Sequence, residues 1–231
     1  MKLFVGEIFP EVKINEDEQQ HMLKVLRMRD GDLIHITDGE GNLAKGNLVV
    51  EGKRAKVAVE EIFTKTEPFS PRLHVAIAPT KNMDRIEFFV EKAVEMGISE
   101  ITFIQTEKSE RKAINLERLQ KQAVAASKQS LRFHFPVLNE LTKLTDFIQN
   151  CDSSNTFVAH CHENLERSNL IELEKNLNVT LLIGPEGDFS EREIAALKEA
   201  GIAAVSLGPQ RLRTETAGLF VAAWNYKRMF S

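Results

Sequence analysis

Residues 181–217 read LLIGPEGDFSEREIAALKEAGIAAVSLGPQRLRTETA, and this stretch decides the fold. Two short apolar runs, 181–183 and 203–207, each end in Gly-Pro. Apolar runs of this length, bounded by Gly or Pro, read as buried parallel strands. Between them Ser190-Glu191-Arg192-Glu193 has the pattern of a capping box. The serine hydroxyl takes one free helix N–H, and the glutamate three residues on reaches back to the serine's own. An amphipathic helix follows, with Ile194, Leu197 and Ala200 on one face, and Gly201 stops it. The order is therefore strand, Gly-Pro loop, helix, strand, Gly-Pro loop, and a second helix opening near Thr214. Both loops leave the carboxyl ends of strands, the edge at which ligands bind in open α/β sheets.

The loops are informative in themselves. Gly184 and Gly208 let a ligand approach the backbone closely, while Pro185 and Pro209 stiffen each turn, and Gly187 adds a further permissive position. The stretch lacks G-x-G-x-x-G and G-x-x-x-x-G-K-[ST], so neither a dinucleotide pyrophosphate nor a P-loop phosphate is indicated. A rigid, mostly uncharged backbone cup suits an adenine and ribose better than a polyphosphate. One such loop reads as an ordinary strand-to-helix turn. Two of them, the second continuing into Arg211-Leu212-Arg213-Thr214-Glu215-Thr216-Ala217, read as a binding site.

Outward from this stretch, the chain has 231 residues, enough for one large or two small domains. Apolar residues make up 42% and charged residues 28%, an ordinary balance for a soluble globular protein. No apolar run reaches membrane-span length, and Gly6, Glu7 and Pro10 interrupt the N-terminus too early for a signal peptide. Cys151 and Cys161 are too few for a disulfide framework, so a reducing, cytoplasmic location fits. The net charge of −4 and pI near 5.9 argue against binding nucleic acid through the whole surface. Residues 107–134 are locally basic, with Lys108, Arg111, Lys112, Arg118, Lys121, Lys128 and Arg132 against three glutamates. That pattern fits a selective polyanion site or, equally, a solvated helix face.

Residues 1–68 form a separate expectation. Strands at 3–5, 33–37, 43–50 and 55–63 are separated by Gly-containing turns. A helix runs from an Asn15-Glu16-Asp17-Glu18 capping box to about Arg29, with Met22, Val25 and Leu26 on its apolar face. This is a small β domain carrying one helix. Residues 64–72, with two prolines and little periodicity, form the linker. From residue 73 to 231 strands alternate with helices: strands at 74–78, 101–105 and 156–159, helices at 84–96, 115–131, 144–150 and 165–176, then the stretch already read. Such alternation predicts a parallel sheet covered on both faces. The closing helix, 214–229, is apolar around most of its circumference, which predicts burial in its own sheet or beneath a second subunit.

Gly184-Pro185-Glu186-Gly187-x-Phe189-Ser190, followed by Leu207-Gly208-Pro209 and Leu212-Arg213-Thr214-Glu215-Thr216-Ala217, resembles the RsmE family. These are 16S ribosomal RNA (uracil-N3)-methyltransferases of the SPOUT class. Further motifs match across nearly the whole chain: His21-x-x-x-Val25-Leu26-Arg27 with Gly31-Asp32, Lys81-x-x-Asp84-Arg85-x-Glu87 with Glu95-x-Gly97, and Ser127-x-Gln129-Ser130-x-Arg132 with Pro136. Two positions depart from the family's pattern. Asp188 stands where a second glycine is usual, and Gln210-Arg211 replaces Arg-Ile or Arg-Val.

The resemblance implies an N-terminal PUA-like β-barrel domain and a C-terminal α/β methyltransferase domain with a trefoil knot. It implies S-adenosyl-L-methionine as methyl donor, a 16S ribosomal RNA or small-subunit substrate, and a homodimer. Cofactor-binding positions carry over to Ala159, His160, Ile183, Gly184, Pro185, Gly187, Leu207, Gly208, Leu212, Arg213, Thr214 and Ala217. The acceptor base must leave its stack, and its N3 must lose a proton. Arg213 is the candidate stabiliser of developing negative charge and Glu215 the candidate proton acceptor. Lys24, Arg27, Arg111, Lys128 and Arg132 are candidate RNA contacts. His160-Cys161-His162 lacks a second ligand pair at zinc spacing, so no metal site is expected. A dehydrogenase-like enzyme and a non-catalytic ribosome-binding factor are the rival readings. The absent glycine fingerprint opposes the first, and the intact loop motifs oppose the second.

Overall fold

A computed structural model describes residues 1–64, 66–162 and 166–230. The chain divides into two compact units: Met1–Pro68 together with Ser127–Phe135, and Phe69–Ala126 together with the residues from Pro136 onward.

The first unit is a five-stranded sheet in the order β2-β1-β3-β4-β5. Its strands are β1 (Leu3–Glu7), β2 (Lys13–Ile14), β3 (Leu33–Thr37), β4 (Leu43–Glu51) and β5 (Arg54–Phe63). β2 also approaches β5, which nearly closes the sheet. Phe4, Ile14, Met22, Ile34, Ile36 and Leu48 fill its interior. The helical segment differs from the expectation in two ways. Helix α1 (Glu16–Gln20) has no side-chain cap from Asn15, and it passes into a π-helical turn at His21–Val25 instead of running to Arg29. Met22 is buried, but Val25 is 67% and Leu26 42% exposed. The wider π turn rotates these two side chains off the face that Met22 buries. Ser127–Phe135 adds to this unit through paired backbone bonds, Gly41 N–H to the Phe133 carbonyl and Phe135 N–H to the Gly39 carbonyl, both at 2.8 Å.

The second unit is a seven-stranded sheet, every neighbouring pair parallel, in the order β10-β12-β9-β11-β6-β7-β8. Its strands are β6 (Arg72–Ile77), β7 (Glu100–Gln105), β8 (Val137–Lys143), β9 (Thr156–Ala159), β10 (Ser168–Asn169), β11 (Asn178–Ile183) and β12 (Ala203–Ser206). Its helices are α2 (Met83–Glu95), α3 (Leu116–Gln129), α4 (Leu144–Asn150), α5 (Glu191–Glu199) and α6 (Thr214–Arg228). The last residues of α3 are counted with the first unit.

Side chains alternate between the sheet's faces, as the pleat requires. Leu73, Val75, Ile77, Leu181 and Ile183 join α2, α3 and α6 in one core, while Ala76, Ala78 and Leu182 join α4 and α5 in the other. Burial on both faces explains why these strands read as unbroken apolar runs. The Ser190 capping box is formed in both directions, and Gly201 ends α5 at φ +79°.

Two segments depart from the sequence expectation. Residues 165–176 are not a helix: where described, they form β10 and a 3-10 turn at Leu170–Leu173, capped by Asn169 (Leu165 lies outside the described residues). β8 had no counterpart in the reading, because VLNELTK neither alternates apolar and polar residues nor forms a continuous apolar run. On α6, the buried stripe is Thr214, Ala217, Gly218, Val221, Ala222, Asn225 and Arg228, whereas Phe220 and Tyr226 are 44% and 42% exposed.

Candidate cofactor site

The site is built by chain crossing. β9 lies between β11 and β12, so the loops leaving these three strands emerge side by side at the carboxyl edge of the sheet. The two Gly-Pro loops are thus flanking walls, and the loop beginning Ala159-His160 stands between them. Together they enclose a cavity of about 1070 Å³. Ala159, His160, Ile183, Gly184, Pro185, Gly187, Leu207, Gly208, Leu212, Arg213, Thr214 and Ala217 all line it. The structure therefore gathers into one place all twelve positions to which the motifs pointed.

Each wall has a local cause. Gly208 has φ +137°, a backbone state that side-chain-bearing residues rarely adopt, and no heavy atom lies within 4 Å of where its Cβ would stand. The peptide there faces open space. Thr214 opens α6 and donates its hydroxyl to the Gly184 carbonyl at 2.9 Å, joining the second loop to the first. Behind the first loop, Phe189 is fully buried and its ring lies about 3.0 Å from a Cβ at Gly184. The wall is mixed in character. Ile183, Leu207, Leu212 and Ala217 are apolar, Arg167, Arg211 and Arg213 bring positive charge, and Glu186 and Asp188 bring negative charge.

Arg167 in the wall, and the ties that brace the wall from behind, escaped the sequence reading. Arg167 donates to the His160 carbonyl at 2.7 Å. Burial holds the His160 imidazole below its ordinary pKa, against the pull of the Asp188 carboxylate. Lys108, counted in the basic segment, sends its ammonium to the Gly187 carbonyl at 2.9 Å and the Phe189 carbonyl at 3.2 Å. Glu193 accepts from the Ser190 N–H and also from the Glu107 N–H, each at 2.8 Å, so the α5 cap also holds the loop after β7. No pattern within ten residues signals either tie.

Other candidates fall elsewhere. Arg213 is exposed at the start of α6 and lines the cavity. Glu215 does not line it: its Oε1 lies 3.8 Å from Arg85 Nε on α2, and its Oε2 is buried with no hydrogen-bond partner among the described residues. The turn of α6 that presents Thr214 to Gly184 points Glu215 at α2. Lys24 and Arg27 are exposed in the first unit, with Arg27 in left-handed backbone at φ 48°. Lys128 bonds Glu18 at 2.5 Å. Arg132 departs from the expectation of a phosphate-facing side chain. It is 4% exposed, and burial brings its guanidinium pKa down to about 10, because 127–135 folds as part of the first unit instead of continuing as a solvated helix. Arg111, in the second unit, donates to the Lys81 carbonyl at 2.5 Å. Among the described residues no group of three or more His, Cys, Asp and Glu side chains could hold a metal ion, and no helix is long and apolar enough to cross a membrane.

Residues 67–225 match the family described as RNA methyltransferase domain, and residues 14–61 match the RNA methyltransferase PUA domain. The first match spans well over half the chain. The protein belongs to the RsmE family of RNA methyltransferases. A ribosomal RNA small subunit methyltransferase E from Mycobacterium bovis is 31% identical over 219 residues, covering 88% of this chain and 81% of that one. A probable rRNA-methyltransferase from Porphyromonas gingivalis is 36% identical, with a TM-score of 0.91 over 100% of this chain and 99% of that one. The family member from Neisseria gonorrhoeae, solved bound to S-adenosyl methionine, is 27% identical with a TM-score of 0.79, covering 97% of this chain and 96% of that one. Against the RsmE pattern, Asp188 occupies the usual glycine position at φ 58°, in the left-handed region that glycine favours.

Proposed function

We propose that this protein transfers a methyl group from S-adenosyl-L-methionine to N3 of a uridine in 16S ribosomal RNA, acting in the cytoplasm as a homodimer. The observation that carries the reading is the cavity at the carboxyl ends of β9, β11 and β12, with its two Gly-Pro loops and its mixed lining. Its chemistry fits an adenosyl group bearing an amino acid. Open backbone at Gly208 and apolar side chains of Leu207, Leu212 and Ala217 suit a flat heterocycle, while arginines and carboxylates suit charged ends. Ile183, Gly184, Leu207, Gly208 and Leu212 would hold the group. When bound, it supplies a methyl on a sulfonium, already a strong electrophile.

The chain's own residues then have the harder task. Uracil N3 carries a proton and lies on the pairing edge, so the base must leave its stack, pass that proton to solvent water in the open cavity, and develop negative charge. Arg213 is at the cavity wall and exposed, so its guanidinium is free to meet the uracil oxygens. A guanidinium offers a planar fork of donors that matches the uracil oxygens. Glu215 is given the supporting role of pairing Arg85 at the base of α6. Lys24 and Arg27 are exposed cations of the first unit and serve as phosphate contacts.

The strand order supports the knot. β12, the last strand in the chain, lies between β9 and β10, two strands laid down before it, as a knotted connection would require. Exposed Phe220 and Tyr226 on α6 support a subunit contact.

The test is a methyl-transfer assay on small-subunit particles and on naked ribosomal RNA, with the modified nucleotide mapped, beside donor affinity measured separately. Arg213→Ala should cut transfer by about 100-fold or more, the scale of losing one charge-stabilising donor, with donor affinity changed less than about threefold. Equal losses in both would contradict the role given to Arg213.

A further inference from the structure

One flanking wall of the site continues into the short segment Gly187-Asp188-Phe189. Its backbone carbonyls and its one charged side chain hold it to two different loops. The carbonyls of Gly187 and Phe189 both accept from Lys108 Nζ, at 2.9 and 3.2 Å, which ties the segment to the loop after β7. The Asp188 carboxylate turns the other way. Its Oδ2 accepts from the Cys161 N–H at 2.8 Å, in the loop after β9, and its Oδ1 accepts from the Phe189 N–H at 2.8 Å. The tie is reciprocated: the His162 ring bonds the Phe189 carbonyl through Nε2 at 2.9 Å and lies 3.8 Å from Asp188 Oδ2. The loop after β9 closes on itself as well, with the His162 N–H reaching His160 Nδ1 at 3.2 Å.

We infer that Asp188 is a positioning residue for cofactor binding: its carboxylate fixes the loop after β9 as the middle wall of the cavity. This rests on the reading of the cavity as the methyl-donor site.

Three observations carry it. First, the contact is specific to this chain's residue, since a glycine here would have no side chain to reach Cys161. Second, Asp188 holds a left-handed backbone, φ 58°, which aspartate tolerates at a cost and glycine at none. Something in the folded protein compensates that cost, and the carboxylate accepts from backbone N–H groups of the two cavity loops. Third, both tied loops line the cavity, through His160, Cys161 and His162 on one side and Gly187 and Asp188 on the other. A carboxylate-to-amide bond is charge-assisted and so stronger than a neutral one. The role of Asp188 is to position, not to react. Its effect passes through the Cys161 peptide.

The experiment compares wild type, Asp188→Gly and Asp188→Asn. Asparagine tolerates the same backbone and keeps an acceptor oxygen, whereas glycine relaxes the backbone but removes both bonds. Binding of S-adenosylhomocysteine and S-adenosylmethionine is measured by calorimetry, kcat and KM for the donor by methyl transfer, and exchange of the Cys161 and His162 amides by NMR in the absence of ligand. Asp188→Gly should weaken donor affinity about tenfold and raise KM for the donor in parallel, leave kcat within about twofold, and speed exchange at Cys161. Asp188→Asn should recover most of the affinity. A general folding defect would instead lower the melting temperature and kcat together, and that pattern would overturn the inference. So would unchanged Cys161 exchange or unchanged affinity in Asp188→Gly while wild type binds the donor. A wild type that bound no donor would overturn the parent reading, and this inference with it.

Discussion

The bond from the Thr214 hydroxyl to the Gly184 carbonyl is the most direct test of how the site is assembled. It spans thirty residues at 2.9 Å, and Thr214 is 4% exposed. Thr214→Val keeps the side-chain shape and replaces the donor by a methyl. The buried Gly184 carbonyl then loses this partner, and a buried acceptor left unpaired costs about 1–3 kcal/mol. Taking about 2 kcal/mol, and about 2–4 °C per kcal/mol for a chain of this size, the melting temperature should fall by about 4–8 °C. Thr214→Ser removes one buried methyl and keeps the hydroxyl, at a cost of about 0.8 kcal/mol. Scanning calorimetry on the two variants separates the terms. Because the bond joins the two Gly-Pro loops, donor affinity measured by titration should also fall further in the valine variant. If valine cost less than about 0.5 kcal/mol, or if serine cost as much as valine, the bond would not be what holds the loops together.

Gly218→Ala places a Cβ 2.6 Å from Phe89 Cε2 and 3.2 Å from Ile77 Cδ1, both fully buried, so α2 and α6 must separate. Overpacking of about 1–3 kcal/mol should exceed the helix-propensity gain of about 1 kcal/mol, and Phe89→Leu in the same chain should recover part of the loss in a double-mutant cycle; strictly additive losses would refute the clash. Burial holds His74 below its ordinary pKa of 6.5, opposed by Glu100. The unfolded chain therefore takes up the proton first on acidification, so this contribution to stability is intact above about pH 6.5 and is lost as pH falls through the lower folded value. The stability difference between wild type and His74→Gln, from urea unfolding at several pH values, should be flat above about pH 6.5 and should turn against wild type below it; a difference flat down to pH 5 would refute the assignment.

What the sequence determined by itself is local in physical origin. Apolar runs, caps and stops lie within about one helical turn of the residues they govern. The Ser190–Glu193 box, the Gly201 stop and the Gly-Pro punctuation were legible for that reason, and they placed α5, β12, α6 and the end of β11 nearly to the residue, although β11 begins three residues before the apolar run at 181. Where local signals were weak or misleading, the reading failed: the helix expected over 165–176 gave way to β10 and a 3-10 turn, and Val25 and Leu26 turned outward. Only the tertiary structure decided that β9 stands between β11 and β12, and with it which loops share a cavity. It likewise decided that Lys108 braces a loop 79 residues away, that Asp188 reaches an amide 27 residues back, and that Arg132 is buried. Periodicity fixes which face of a strand is apolar. It carries no term for which strand comes next to it, because that choice is made by packing whole elements against each other at long range in the chain.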